Sequence, residues 1–377
     1  MKMLLELEKF RLDGQVLRHR QPARSFLRNF INLLYTQFAQ SNYSMTDSDG
    51  TSRTVVAVPT YRMPNLAVVP GAIYYQKIPQ ESVGIRVGGS DNPVTPTDYD
   101  LAGFIHHVDG APETSPVVKD AYYYPYSTGY QTFYGANWLA APFFVPQSVD
   151  ASAVRLRLYR YGNLPTQNLI ASIRKTDGYN SPVGGDLCSG QIGGLNSITT
   201  DSAGDWYEVT FGSQYVLRPN TQYAIVVRID GGDASNNLRW LRSSGGTLYR
   251  PHKDGTCLYA TSSNSGASWT PADSNRHNLF YQLLGKRPLG LCYHGTLIRE
   301  FTFPAPPPGA QFSLEAFFSN YCGSPVSVRE AGIYASGATS DEYRAFVFLI
   351  ARDILSPAIT VNSGEVLRVR YVVQITV

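Results

Sequence analysis

The C-terminal stretch Gly364-Glu365-Val366-Leu367-Arg368-Val369-Arg370-Tyr371-Val372-Val373-Gln374-Ile375-Thr376-Val377 sets the reading of the chain. Leu367, Val369, Tyr371, Val373, Ile375 and Val377 share one parity, and Arg368, Arg370, Gln374 and Thr376 the other. A period of two puts apolar side chains on one face and polar ones on the opposite face, the pattern of a half-buried strand. Upstream, Val154, Leu156 and Leu158 alternate with Arg155, Arg157 and Tyr159. Tyr223, Ile225, Val227 and Ile229 alternate with Gln222, Ala224, Val226 and Arg228. Turn residues punctuate the runs at Asp177-Gly178, Arg218-Pro219-Asn220, Asp230-Gly231-Gly232 and Asn362-Ser363-Gly364. Many such strands between regular turns predict β-sandwiches.

Composition agrees. The 377 residues include 33 Gly, 24 Pro and 26 Tyr, a profile of strands and turns rather than helices. Charged residues make up 16%, against about 25% in an average soluble protein, and the net charge is only +3. So weak an imbalance argues against nucleic acid as a partner. With 43% apolar residues, extended disorder is also unexpected. No run approaches the roughly 18 apolar residues of a membrane span. Met1 to Phe10 carries Glu6, Glu8 and Lys9 where the apolar core of a secretion leader would run, so synthesis in the cytoplasm without membrane insertion is expected. Cys188, Cys257, Cys292 and Cys322 are too far apart for a zinc knuckle and read as reduced, buried thiols.

One helix is predicted over Ser25 to Gln40. Phe26, Phe30, Leu34 and Phe38, with Leu27 and Ile31 beside them, form an apolar stripe, and Ser25 is placed to cap it. Two breaks lack periodicity, Ala111–Val118 and Gly285-Lys286-Arg287-Pro288. They divide the chain into 1–115, 119–285 and 287–377. The first part offers a helix and few convincing strands, while the last has strands that need a second sheet, so the two ends are expected to form one discontinuous domain.

Motifs in both ends support that grouping. Val83-Gly84-Ile85-Arg86-Val87-Gly88-Gly89 precedes Val94-Thr95-Pro96-Thr97-Asp98-Tyr99-Asp100-Leu101-Ala102. Leu27-Arg28-Asn29-Phe30-Ile31-Asn32-Leu33-Leu34 lies before them. Val328-Arg329-Glu330-Ala331-Gly332-Ile333-Tyr334, Ala351-Arg352-Asp353-Ile354-Leu355 and the Gly364–Val377 strand follow. In this order they resemble the motifs of a family of tailed-phage virion proteins. The departures are Gly89-Ser90 where Thr-Gly is usual, and the long interruption itself. The resemblance implies a structural role in a virion, with other virion proteins as partners.

The interrupting block is similar to jelly-roll modules of carbohydrate-binding and choice-of-anchor proteins. Ala140-Ala141-Pro142-Phe143-Phe144-Val145-Pro146, Asp205-Trp206-Tyr207-Glu208-Val209-Thr210-Phe211 and Leu217-Arg218-Pro219-Asn220-Thr221-Gln222-Tyr223 carry that likeness. It implies a fold but no ligand, because jelly rolls host lectins, capsid proteins and spacers.

Enzyme signatures are missing: there is no HExxH, GxSxG, phosphate loop or GxGxxG. His106-His107 point to opposite strand faces and cannot easily share a metal. Glu208, Asp201 and Asp205 read as polar strand and turn residues rather than a glycosidase pair. Asp230 and Asp233, with Asn236-Asn237, offer the oxygen ligands calcium takes, yet these are equally turn residues. No other cofactor is expected. Aromatic rings give the leading binding hypothesis, since sugars stack on exposed rings with polar neighbours. Trp240, flanked by Arg239 and Arg242, and Trp269, between Ser268 and Thr270, suit loop platforms, whereas Trp206 reads as core.

The expectation is therefore a mainly β, non-enzymatic virion protein: a discontinuous outer β-sandwich with one N-terminal helix, plus an inserted jelly roll that attaches to host-surface glycan. The alternative is a head or tail decoration protein whose jelly roll clamps neighbouring subunits. A homo-oligomer is expected, with a trimer favoured.

Overall fold

The computed structural model describes residues 2–23, 26–57, 83–103, 105, 107–108, 113–122, 129–145, 147–219, 221–242, 259–272, 279–302, 309–338 and 345–376. The protein is mainly β, with multiple sheets and one α-helix among the described residues. It divides into two compact units, Met1–Pro112 with Pro288–Val377, and Glu113–Arg287.

In the discontinuous outer unit, a six-stranded sheet runs in the order Val16–Ala23, Lys2–Phe10, Val366–Thr376, Gly309–Asn320, Leu291–Thr302, His107–Val108. A three-stranded sheet runs Ala345–Val361, Val326–Ala338, Gly84–Gly88. One core joins them: Leu5, Leu7, Phe318, Val369 and Tyr371 from the first sheet meet Ile85, Ile333, Phe348 and Val361 from the second. The parity of the C-terminal strand holds, with Leu367, Val369, Tyr371 and Val373 buried. Ile375 and Val377 lie outside the residues whose side chains are described.

The N-terminal hairpin is a strand pair that sequence reading passes over. Met3, Leu5 and Leu7 are buried while Glu6 and Glu8 face the other way. Lys2–Phe10 pairs antiparallel with the C-terminal strand, Glu6 opposite Arg370 and Glu8 opposite Arg368. Glu6 sits between Arg20 (3.1 Å) and Arg370 (3.5 Å), and Glu8 between Arg18 (3.1 Å) and Arg368 (2.8 Å). Opposite charges facing each other across strands stabilise the pairing by roughly 0.2–1 kcal/mol each and set its register.

The helix spans Arg28–Ala39, with Leu27 at its cap and no side-chain cap bond. Ser25, the expected cap, lies outside the described residues. Leu27 N–H instead donates to Ile350 O (2.9 Å), stitching the helix start to the three-stranded sheet. Its inward face follows the expected stripe at the start, where Leu27 is buried and Phe26 and Phe30 pack against the core, and departs from it further on. Asn29, Leu33 and Thr36 are buried, and Ile31, Tyr35 and Phe38 are exposed. The polar groups are accommodated because Asn29 donates to Thr46 O (2.9 Å) and Thr36 to Leu33 O (2.8 Å).

The inserted unit is a sandwich of two six-stranded sheets. One runs Val117–Tyr122, Tyr281–Lys286, Val149–Tyr161, Asn237–Arg242, Gly129–Phe133, with Asp205–Leu217 also pairing Val149–Tyr161. The other runs Pro182–Gly193, Asn168–Thr176, Tyr223–Ile229, Trp138–Phe143, Ala260–Ser262, Thr270–Pro271. Val154, Leu156 and Leu158 from one sheet and Tyr223, Ile225, Val227 and Ile229 from the other form the core on the expected parities. Entry and exit strands of the insert pair with each other, Val117 opposite Gly285. Glu113 closes this stem: it accepts from Arg287 N (2.8 Å) and Arg287 Nε (3.1 Å), and pairs with Lys119. Chain that enters and leaves at adjacent strands can be inserted into a host domain without disturbing either core.

Cys188 and Cys292 are buried thiols outside any disulfide, as expected, and burial pushes the Cys188 thiol up to about 12. Cys322 departs from expectation in being only half-buried, and Cys257 lies outside the described residues.

Candidate functional site

In the outer unit the separate sequence motifs meet around one ion cluster. Arg352 is buried. Its Nε donates to Glu330 Oε2 (2.7 Å) and its Nη1 to Asp98 Oδ2 (2.6 Å), while Nη2 donates to Asn92 O (3.0 Å). Glu330 has no exposed surface and also accepts from Gly103 N (2.6 Å) and Ala102 N (3.3 Å). Tyr334 donates to Asp100 and accepts from Leu101 N (3.0 Å). The helix joins through Arg28 N, which donates to Pro96 O (2.9 Å). Gly88 is the seat of Glu330, since a Cβ there would lie 2.3 Å from Glu330 Oε1. Burial works to raise the Asp98 carboxyl, but the Thr95 and Arg352 hydrogen bonds outweigh it and hold it below the usual carboxylate range. Burial, reinforced by the Asp100 charge, pushes the Tyr334 hydroxyl well up. With Glu330 and Arg352 withdrawn from solvent, the cluster braces four chain segments against one another.

In the insert, the structure rearranges the expected tryptophan sites. Trp240 is fully buried in the main core, and its Nε1–H donates to Phe280 O (2.7 Å). It offers no face to a sugar, which corrects the platform reading. The cause is parity: Asn237–Arg242 is a strand, and Trp240 falls on the inward side with Leu238. Trp206, expected in the core, is half-buried on the outer side with Tyr159, Leu241 and Phe280, because Val209 and Phe211 occupy the inward parity of its strand. Arg239 lies among tyrosines, 4.1 Å from the Tyr161 ring centroid, 4.5 Å from Tyr130 and 5.5 Å from Tyr159. Arg242 donates to Tyr130 O (3.4 Å) and lies 5.9 Å from the Tyr259 ring. Neither arginine has an exposed Trp240 ring to flank.

Asp230 and Asp233 each accept hydrogen bonds from the protein itself. Asp230 accepts from Asn168 N (2.7 Å) and Asn168 Nδ2 (2.6 Å). Asp233 accepts from Ser235 N (2.7 Å), Asn236 N (2.9 Å) and Asn236 Nδ2 (3.1 Å). Asp233 braces its own turn and Asp230 ties its turn to the start of the Asn168–Thr176 strand, and those bonds hold both carboxyls below the usual carboxylate range. Among the described residues no group of three or more His, Cys, Asp or Glu converges as metal ligands do. Glu208 pairs with Arg155 (2.9 Å), and Asp201 and Asp205 brace turns through Ala203 N and Trp206 N. Of the His106-His107 pair, His106 lies outside the described residues.

Trp269 is half-buried and packs with Trp138, a residue sequence reading passes over, on the outer face of the second sheet. Leu139, Ala141 and Phe143 point into the core, so Trp138 and Ala140 point out. Both rings cover the small side chains Ala140, Ala224, Val226 and Ala260. Arg228 lies 4.9 Å and Arg174 5.5 Å from the Trp138 ring centroid. Asp186 accepts from Arg174 Nε (2.7 Å) and Arg228 Nη2 (2.7 Å). Burial works against that charge, but the two arginines and Ser172 hold its carboxyl below the usual range. Beside Trp138 an open depression of about 360 Å³ is lined by Gly135, Trp138, Ile170, Arg228, Ile229, Asp230, Gly231 and Ser265.

No family model matches the chain, and no curated protein matches it. Among solved structures it is similar to a chain titled "Structure of infectious bursal disease virus Gx strain", at 10% identity and a TM-score of 0.20. That match covers 100% of this chain and 65% of the viral one, so this chain spans about two thirds of its length. A likeness at that score carries no argument about function.

Proposed function

We propose that this protein is a non-enzymatic structural component of a tailed-phage virion, held in the particle by its outer unit and carrying the inserted sandwich as an attachment module for host-surface glycan. The observation that carries the reading is the convergence of the motifs. The segments that resemble phage virion proteins are far apart in sequence, yet they supply Gly88, Asp98, Ala102, Glu330, Tyr334 and Arg352 to one braced cluster. They thus act as one structural unit.

The distribution of exposed apolar side chains supports the division of labour. In the outer unit, among the described residues, Phe38 is 85% exposed, Leu12 79%, Leu289 64%, Ile298 58% and Ile31 57%. Among the described residues of the insert the exposed large apolar side chains are tyrosines and valines, none above 49%. Apolar surface of the first kind suits burial against neighbouring subunits. A clamp working through the insert would need it there instead. Other virion proteins and further copies of this chain, as a trimer, are the expected partners of the outer unit.

Peptide mass spectrometry and immunogold labelling of purified particles of the encoding phage test the proposal. Detection at fixed stoichiometry and a fixed position upholds it; absence from purified particles refutes it.

A further inference from the structure

The depression beside Trp138 is built from three turns tied to each other. Gly135 N–H donates to Gly231 O (2.7 Å), and Ser265 N–H to Ala136 O (2.9 Å). Ser262 Oγ accepts from Gly266 N (2.9 Å), and Asn264 Oδ1 from Ser268 N (2.9 Å). Gly266, with φ +80°, lies against Trp138: a Cβ there would come within 2.7 Å of the ring. The ring is therefore held in one orientation by its surroundings, and Trp138 Nε1–H is fixed on Gly135 O (3.0 Å). Little ordering remains to be done when a ligand arrives.

The lining combines apolar surface from Trp138, Ile170 and Ile229 with polar groups on Arg228, Asp230 and Ser265. That mixture is the usual make-up of a small-molecule site, and about 360 Å³ falls near the bottom of the usual range of roughly 300–1,000 Å³. It suits one ring rather than an extended chain. Charge narrows the class. Arg174 and Arg228 are matched by Asp186 and Asp230, and Arg228 already holds Asp186. An anionic ligand would meet the Asp230 carboxylate, and a cationic one the Arg228 guanidinium. A neutral polyol ring meets neither conflict: its C–H face can lie on the indole, and its hydroxyls can donate to Asp230 and accept from Arg228.

We propose that this depression binds a single uncharged pyranose ring, with Trp138 as its stacking face and Arg228, Asp230 and Ser265 as its polar partners. The inference rests on the glycan-attachment reading of the insert but assigns it to a place that excludes Trp240.

The test is saturation-transfer NMR on the full chain with glucose, galactose, mannose and N-acetylglucosamine, and with glucuronic acid and glucosamine as charged counterparts. Saturable binding of at least one neutral sugar, several-fold tighter than its charged counterpart, is expected. Trp138→Phe should weaken it about tenfold, a change of about 1.4 kcal/mol. Ile170→Trp should abolish it by filling the depression while leaving the Trp138 packing in place, with the melting profile confirming the fold. Preference for a charged sugar, binding that survives Ile170→Trp, or no binding of any neutral sugar overturns the assignment. Adsorption of the same proteins to host cells separates the two readings. Cell binding untouched by Ile170→Trp refutes this site and leaves attachment standing. Sugar binding without cell binding upholds the site and refutes attachment.

Discussion

Replacing Arg352 by Met should strongly destabilise the outer unit. The substitution keeps much of the side-chain volume but removes the guanidinium that holds Glu330 (2.7 Å) and Asp98 (2.6 Å). Asp98 can turn to solvent, since its side chain is 17% exposed, but Glu330 cannot, at 0%. It keeps the Gly103 and Ala102 N–H groups and loses the ion pair with Arg352, its one cationic partner among the described residues. Breaking a buried pair by removing one member costs about 3–5 kcal/mol, mostly the penalty of the stranded charge. For a unit of about 200 residues this lowers the melting temperature by roughly 6–20 °C. Calorimetry should register the fall in the outer-unit transition and leave that of the insert in place. Adding Glu330→Gln to Arg352→Met removes the stranded charge, so the double variant should lose about 2 kcal/mol less than the sum of the single losses. Strictly additive losses, or an Arg352→Met effect under about 1 kcal/mol, would refute the argument that the cluster is a coupled brace.

Four further outcomes follow from the geometry. Arg155→Ala, at a pair whose two side chains are each 42% exposed, should change stability by no more than about 1 kcal/mol in denaturant titration. Trp240→Ala should cost the insert about 3–5 kcal/mol, because it opens a core cavity and removes the indole hydrogen bond to Phe280 O, which keeps Arg157 N (3.2 Å). Gly190→Ala should destabilise the insert by about 1–3 kcal/mol or more, read by its thermal transition, since the added Cβ would lie 1.9 Å from Thr210 O. Acid should unfold the protein: Asp98, Asp186 and Glu113 are held below their ordinary values despite burial. Their contribution is fully present above the unfolded carboxylate range, about pH 4, and is lost as pH falls through the lower folded values. Circular dichroism should show the contribution of these three groups lost below about pH 4, and an acid limb unmoved by Asp98→Asn would count against that residue's share.

Strand parity was open to reading wherever a run was long. Val154–Leu158, Tyr223–Ile229 and Leu367–Val373 place their apolar residues inward as their alternation predicts. Short runs misled. Asn237–Arg242 reads as a loop because Arg239 and Arg242 crowd its tryptophan, yet its neighbours Val149–Tyr161 and Gly129–Phe133 make it a strand. The N-terminal hairpin was hidden for a similar reason: Glu6 and Glu8 look out of place in a strand until Arg18, Arg20, Arg368 and Arg370 arrive beside them.

By itself the sequence determined a mainly β protein, one helix, the residues that share a strand face, and the motifs that belong together. Alternation and turn chemistry are local, and local chemistry is written residue by residue. Which face is covered, and by what, was decided only by tertiary structure. Parity alone sorts Trp138, Trp206 and Trp240 onto faces, but only the packed second sheet makes one of those faces the interior. In the same way Glu330, Arg352, Asp98 and Gly103 carry no sign in one dimension that they touch. Their contact exists because three strands and a loop from both ends of the chain close over Glu330 and leave it no exposed surface, so the buried carboxylate needs those partners.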